Sequence, residues 1–306
     1  MNVWVEAARP RTLPAAIVPV LVGTAAAARP VAELDWVRAG LALLVALALQ
    51  VAVNYANDLF DGLKGVDTEA RTGPRRAVAS GLASPAGMRN AMIGALAVAA
   101  VAGLVLAVLV GWELLLVGLV AMLAALGYSG GRRPYASRGL GEVSVFVFFG
   151  LVATVGSQYV QDETVGVLAV VAAVPVGAIA TALLVINNLR DIPTDELAGK
   201  RTLAVRLGER RTVHLFVGLL WSGIVFAPLL AFSMQEGGPL LAVLAFPFAG
   251  RATGIVHAAA PSAQPDGEAL ADRQRGPAMI AALGATARYQ LAFGVLLAAG
   301  LAMGGT

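Results

Sequence analysis

The sequence predicts an all-α membrane protein, a bundle of nine transmembrane helices with its N-terminus cytoplasmic. Three observations carry that reading. The 306-residue chain is 58% hydrophobic with mean hydropathy +0.78, and only 13% of it is charged, about half the share usual in soluble domains. Apolar runs of roughly the 20 residues that a bilayer crossing needs recur along its length. Nearly all the positive charge falls into alternate gaps between those runs. Too little polar surface remains to cover a water-soluble globule, and the length suits a single domain over 1–306.

The runs are 12–28, 39–58, 90–110, 113–130, 140–160, 165–189, 212–233, 239–257 and 281–303. Gly, Pro and charge punctuate them, as at Gly111-Trp112, Gly130 to Pro134 and Gly237-Gly238-Pro239. With the N-terminus inside and the runs alternating, every lysine and arginine except Arg29 and Arg38 lies in or beside an inner segment. This is the asymmetry of the positive-inside rule, and it predicts a multi-pass protein of the inner (plasma) membrane. It also accounts for the pI near 9.6 without a nucleic-acid partner. The absence of cysteine excludes disulfides and thiolate metal sites, and His214 and His257 have no ligand-like spacing. Segments 59–89 and 190–211 are long, charged and inner, so polar chemistry is expected on that face. Segment 258–277 reads as a tolerant linker.

The second run ends in Asn54-Tyr55-Ala56-Asn57-Asp58-Leu59-Phe60-Asp61, the sixth in Asn187-Asn188-Leu189-Arg190-Asp191-Ile192-Pro193-Thr194-Asp195. Both contain Asn-x-x-x-Asp. On a helix Asn54, Asp58 and Asp61 share one face, as do Asn187 and Asp191. Pro193 disfavours helix at Ile192, which predicts that Asp195 belongs to a new turn capped by itself or Thr194. Carboxylates at membrane depth are costly and usually functional. Two such clusters at one leaflet suit Mg²⁺, which takes oxygen ligands, keeps waters and combines one or two carboxylates with substrate phosphates. Basic groups stand beside each cluster: Arg71 to Arg76, Lys200-Arg201, and Arg132-Arg133 after Tyr128. Arginine grips phosphate with paired hydrogen bonds and lysine supplies a point charge. A transporter is the rival reading, but its site is expected near mid-membrane on broken helices rather than at helix ends.

At these residues the chain resembles the UbiA superfamily of intramembrane aromatic prenyltransferases. That family has an Asn-Asp-x-x-Asp motif after its second helix and an Asp-x-x-x-Asp motif after its sixth. They match Asn57-Asp58-Leu59-Phe60-Asp61 and Asp191-Ile192-Pro193-Thr194-Asp195. Where many members carry a further aspartate, this chain has Gly65, with Asp67 following. The stretches Ala7 to Pro14, Gly65 to Thr68, Gly73 to Ala77, Arg138 to Val143 and Gly199 to Ala204 are similar to the menaquinone branch. The resemblance implies a polyprenyl diphosphate donor and a 1,4-dihydroxy-2-naphthoate acceptor, used within the lipid bilayer, with another acceptor such as 4-hydroxybenzoate, homogentisate or a chlorophyllide as the alternative. It implies Mg²⁺ held by Asp58, Asp61, Asp191 and Asp195 with help from Asn54. The diphosphate is expected against Asn57, Arg71, Arg132, Asn187 and Lys200. Tyr128, Arg138, Phe146 and Phe149 are expected around the acceptor and prenyl chain, with Arg9 as a second candidate for the acceptor carboxylate. Glu142, Phe146 and Phe149 share a helical face by spacing. Glu142 is expected either to orient an acceptor hydroxyl or take a proton, or else to pair with Arg138 one turn earlier.

Overall fold

The computed structural model describes residues 2–27, 30–63, 76–260 and 272–304, and all regular structure among them is helical. Chain order is α1 (Val3–Ala8), α2 (Pro14–Ala25), α3 (Trp36–Leu63), α4 (Pro85–Leu109), α5 (Glu113–Ser129) and α6 (Gly141–Val145). A π-helical stretch, Phe146–Val152, joins α6 to α7 (Ala153–Asp162). Then come α8 (Val167–Leu197), α9 (Leu203–Leu220), α10 (Gly223–Met234), a 3-10 segment Gly238–Ala245, α11 (Phe246–Ala259) and α12 (Asp272–Met303).

Seven helical stretches are long and apolar enough to cross a membrane: α3, α4, α6 through α7, α8, α9 through α10, the 3-10 segment through α11, and α12. The chain is a multi-pass membrane protein. The remaining two expected spans are helical but short, 12 residues in α2 and 17 in α5. At 1.5 Å per residue α2 covers about 18 Å, against a hydrocarbon core of about 30 Å. Pro14 opens α2, and Trp112 and Gly130 bound α5.

α8 is the axis of the bundle, touching α2, the π stretch, α7, α9, α10 and α12. Its composition permits this, because Ala169, Ala172, Ala173, Gly177, Ala180 and Ala182 let neighbouring backbones approach closely. The tightest approach is to the π stretch. A Cβ on Gly150 would stand 2.5 Å from Gly177 Cα, and one on Gly177 would stand 2.8 Å from Gly150 Cα. The main core runs from α8 across α9 to α12 and includes Phe216, Tyr289, Phe293 and Leu297. A smaller core of Ala7, Ala56, Leu59, Ala77, Met88 and Met92 seats α1 and the turn at 77–81 against the last turns of α3. Ser84 caps α4 by accepting from Gly87 N at 3.1 Å, with Pro85 at its first position. This smaller core carries no catalytic group of its own. It sets where the end of α3 lies.

The Gly150–Gly177 crossing is backbone against backbone, so no side chain can move aside. Gly177→Ala is expected to cost about 1–3 kcal/mol, as overpacking does, and to lower the thermal midpoint in detergent. Gly218→Ala, where a Cβ meets nothing within 4 Å, is expected to be neutral or mildly stabilising. Equal midpoints for the two variants would contradict this packing.

Candidate active site

α3 continues as helix to Leu63, past the expected end of its apolar run at 58. Asn54, Asp58 and Asp61 therefore do share a face, yet the structure gives them three different tasks. Asp58, 1% exposed, accepts from Ala77 N at 2.9 Å and from Val78 N at 2.8 Å, one bond on each carboxylate oxygen. It holds the 77–81 turn and lines neither of the cavities described below, unlike the expected cation ligand. Asn54 donates to Ala8 O at 2.8 Å and to Thr12 Oγ1 at 3.1 Å, so its amide fastens the turn between α1 and α2. Only Asp61 faces a polar cavity, where Arg76 and Lys200 each approach it at 3.3 Å. Asn57 lies beside it and accepts from the Ser129 hydroxyl at the end of α5.

α8 likewise continues to Leu197, through Pro193. The expected break at Ile192 does not occur. The proline costs one intrahelical bond, and packing of α8 on several sides holds the helix regardless. Asp191 and Asp195 thus lie one turn apart on one face. Asn187 donates to Leu183 O at 3.1 Å and Asn188 to Glu142 Oε1 at 2.9 Å. Arg190 holds Asp191 with two bonds, Nε to Oδ1 at 2.7 Å and Nη2 to Oδ2 at 2.8 Å. After Ala198 the chain reverses at Gly199 (φ +69°), with Gly199 N bonded to Glu196 O at 3.0 Å and Lys200 N to Asp195 O at 2.8 Å. This Schellman pair satisfies the helix end and needs the left-handed conformation that glycine adopts freely. It turns Lys200 back over the site, where Nζ stands 3.3 Å from Asp61 and 3.9 Å from Asp195.

These groups surround a polar cavity of about 130 Å³. Four cations (Arg9, Arg76, Arg190, Lys200) stand among three carboxylates (Asp61, Asp191, Asp195), with Asn57, Asn187, Asn188, Ser129 and Thr194. A second, apolar cavity of about 400 Å³ runs between α3, α4, α5 and the π stretch. Its wall includes Ala99, Gly103, Leu114, Gly118, Phe148 and Phe149. Arg9, Asn57, Tyr128, Leu184 and Asn187 line both, so one space passes into the other. Tyr135 closes part of the apolar wall, packing edge-to-face on Tyr128 and donating to Ala124 O at 2.7 Å. Burial pushes its phenol above the ordinary range, with the Ser144 hydroxyl opposing.

Several expectations change here. Phe149 lines the apolar cavity, but Phe146 packs on Gly177 and lines neither cavity. The π stretch supplies the reason: its wider turns rotate successive residues by less than an α-helix does, so Phe148 and Phe149 face the cavity and the spacing rule fails. Arg132 and Arg138 are exposed and lie off both cavities, although Ala136 and Ser137 of the same 130–140 loop line the polar one; the loop turns its two arginines outward. Arg9, Arg76 and Arg190 take the cationic positions instead. Arg190 stands inside the second motif, next to the Asp191 it holds. Glu142 forms no ion pair among the described residues. Its Oε1 accepts from Asn188, and Oε2 has no hydrogen-bond partner. Asp67 and Arg71 lie outside the described residues.

No three acidic or histidine side chains among the described residues converge closely enough to form a metal cage by themselves. The donor set is nonetheless all oxygen, with carboxylates and amides on one small cavity next to arginine and lysine side chains. That suits a hard cation completed by substrate phosphates and water.

The UbiA prenyltransferase family model matches residues 16–270, and the chain belongs to that family. It is 48% identical over 256 residues to the 1,4-dihydroxy-2-naphthoate octaprenyltransferase of Mycobacterium tuberculosis, covering 83% of this chain and 86% of that protein. It is 40% identical over 253 residues to the protein of the same description from Escherichia coli, covering 80% and 81%. The fold is similar to a UbiA homologue from Archaeoglobus fulgidus bound to GPP and Mg2+, with TM-score 0.64, 16% identity, and 95% and 99% of the two chains covered.

Asp58 and Asp61 are expected to behave differently when substituted. Asp58→Ala orphans two buried backbone N–H groups and is expected to lose about 1–3 kcal/mol of stability, seen as a lower thermal midpoint. Asp61→Asn, which keeps the shape of the side chain and an oxygen beside Arg76 and Lys200, is expected to lower the midpoint less while removing at least as much activity. The reverse order of midpoints would overturn the task assigned to Asp58.

Proposed function

We propose that this chain transfers a polyprenyl group from a polyprenyl diphosphate to 1,4-dihydroxy-2-naphthoate. The acceptor carboxyl leaves as carbon dioxide and the product is a demethylmenaquinol. The observation that carries this reading is the junction of the two cavities. A charged chamber sized for a diphosphate opens into a larger apolar one suited to an isoprenoid chain, across five shared residues. The relatives named for this acceptor support its identity. The nine-span, N-inside topology goes with it: α2 and α5 complete the crossings, and the motif ends of α3 and α8 face the cytoplasm across the inner (plasma) membrane, where both substrates are held as anions.

Asp61 from α3 or the Asp191 and Asp195 pair from α8, with the amide oxygens of Asn187 and Asn188, would hold Mg²⁺ together with diphosphate oxygens and water, and the metal would neutralise charge on the departing diphosphate. Arg76, Arg190 and Lys200 now pair with those carboxylates and are placed to exchange them for phosphate oxygens. The bond between the prenyl C1 and the diphosphate oxygen breaks, and its electron pair leaves with the diphosphate. The allylic cation forms at the junction, beside the faces of Tyr128 and Phe149, where aromatic quadrupoles attract positive charge. Apolar walls from α3, α4 and α5 keep water from it. Arg9, on both cavities, is the cation within reach of an acceptor carboxylate at that point. Asp58 serves by holding the 77–81 turn that carries Arg76.

The test is direct. Detergent-solubilised protein given a polyprenyl diphosphate, Mg²⁺ and 1,4-dihydroxy-2-naphthoate is expected to yield the prenylated naphthoquinol by mass. EDTA and the Asp61→Asn/Asp191→Asn variant are expected to abolish it. Arg9→Met is expected to raise the acceptor KM at least about tenfold, the loss of one charge-assisted contact, while the donor KM changes little. Product only with a different aromatic acceptor would refute the naphthoate assignment, and diphosphate release with no acceptor at all would refute transfer. In the apolar cavity, Gly103→Trp is expected to depress kcat/KM for long prenyl diphosphates more than for geranyl diphosphate. Equal losses would place the chain elsewhere.

A further inference from the structure

An asparagine amide carries an acceptor and a donor on opposite edges, so a partner that takes one edge decides which edge a cavity receives. At Asn57 the oxygen is taken, by the Ser129 hydroxyl. At Asn187 the nitrogen is taken, by the carbonyl of Leu183 in its own helix. Asn188 is set differently. Its Nδ2 donates at 2.9 Å to Oε1 of Glu142, which comes from α6, a separate element.

Glu142 is an unusual choice for a structural contact. It is 5% exposed, lines neither cavity, forms no ion pair among the described residues, and leaves Oε2 without a hydrogen bond. Ionisable groups at membrane depth are costly. A group serving stability alone would be expected to satisfy both oxygens. The contact takes up the N–H edge of the Asn188 amide, because Oε1 accepts from Nδ2. Asn188 thereby turns that edge toward α6 and leaves Oδ1 for the polar cavity it lines.

We propose that Glu142 is a positioning residue that fixes the Asn188 amide so that Oδ1 serves the divalent cation of the diphosphate site, directly or through one of that cation's waters. The inference rests on the diphosphate-site reading above. It favours the cation over the acceptor because Asn188 lines the polar cavity and not the apolar one, whereas the acceptor must sit where they join. Glu142 therefore neither takes a proton from the acceptor nor pairs with Arg138. It acts through Asn188.

The experiment measures cation binding rather than turnover. Mn²⁺ is titrated into the full-length protein in detergent with an unreactive prenyl thiolodiphosphate present, and free Mn²⁺ is read by electron paramagnetic resonance. Glu142→Gln can donate as well as accept, so it releases Asn188 from its single orientation. It is expected to weaken Mn²⁺ binding about tenfold, as loss of an orienting partner does, with little change in thermal midpoint. The charge-conserving exchange Glu142→Gln/Asn188→Asp keeps the hydrogen bond with donor and acceptor reversed and returns an oxygen to the cavity. It is expected to restore binding to the wild-type level or better. Unchanged affinity in Glu142→Gln overturns the proposal. So does a loss that the exchange fails to rescue, which would mark Glu142 as a packing group. Absence of Mn²⁺ binding in the wild type would overturn the diphosphate-site reading along with it, and that outcome is distinguished because the parent protein rather than the variant fails.

Discussion

The ammonium of Lys200, shared between Asp61 of α3 and Asp195 of α8, is the contact on which the arrangement depends. The site is built where two helices end, and both present their C-termini to it. A helix C-terminus carries about half a negative charge from its unpaired carbonyls, and acids there are repelled rather than stabilised. α3 and α8 nonetheless place Asp58, Asp61, Asp191 and Asp195 at those ends. Two such ends can lie together only with cations between them. Lys200 bridges the pair, Arg76 covers the α3 side and Arg190 the α8 side. Removing one partner of a buried pair strands the other, which is why the cluster is held as a set. A ligand of mixed charge, metal with diphosphate, can enter by exchanging partners within that set, with no need to open an apolar core.

Much of this was legible in the sequence because it depends on period and composition. Each apolar run overlaps helix, seven of the helical stretches are long and apolar enough to cross a membrane, and both acidic motifs lie at one end of the bundle. Asn54, Asp58 and Asp61 fall on one face as their spacing requires. The sequence could not show which face meets what. Asp58 and Asp61 are three residues apart, yet one binds backbone and the other faces the cavity, because the turn at 77–81 folds over Asp58 alone. By residue type and position Arg132 suited phosphate and Arg138 an acceptor carboxylate, yet Arg76, Arg190 and Arg9 reach the cavities. Loop path decided between them, and loop path has no period to read. Pro193 argued for a helix break by a local rule, and tertiary packing overrode it.

The π-helical stretch shows the same limit from the other direction. Its seven residues, Phe146–Val152, read as plain α-helix by composition. Nothing in a run of Phe, Val, Gly and Leu announces wider turns. Their effect is to bring Phe148 and Phe149 both onto the apolar cavity while Gly150 is pressed against Gly177. Both outcomes serve one end: the wall of the cavity stays aromatic and the central helix stays close.

Asn54 closes the argument about what the first motif does. Arg9 stands in the left-handed region (φ +54°, ψ +72°), a conformation that costs a residue with a Cβ roughly 1–2 kcal/mol. The turn is held against that cost by a chain of side-chain bonds. Thr12 Oγ1 donates to Arg9 O at 2.9 Å, Gln50 donates to Thr12 at 2.9 Å, and Asn54 donates to both Thr12 Oγ1 and Ala8 O. Strain that a structure holds so firmly is a mark of function. Here it delivers a guanidinium to the junction of the polar and apolar cavities, from a turn that belongs to neither motif. The first motif thus contributes in three ways: Asp61 to the charged chamber, Asp58 to the turn carrying Arg76, and Asn54 to the turn carrying Arg9. Asn54 and Asp58 act by placing arginines while Asn57 and Asp61 line the charged chamber, so the motif is as much a scaffold for cations as a source of anions.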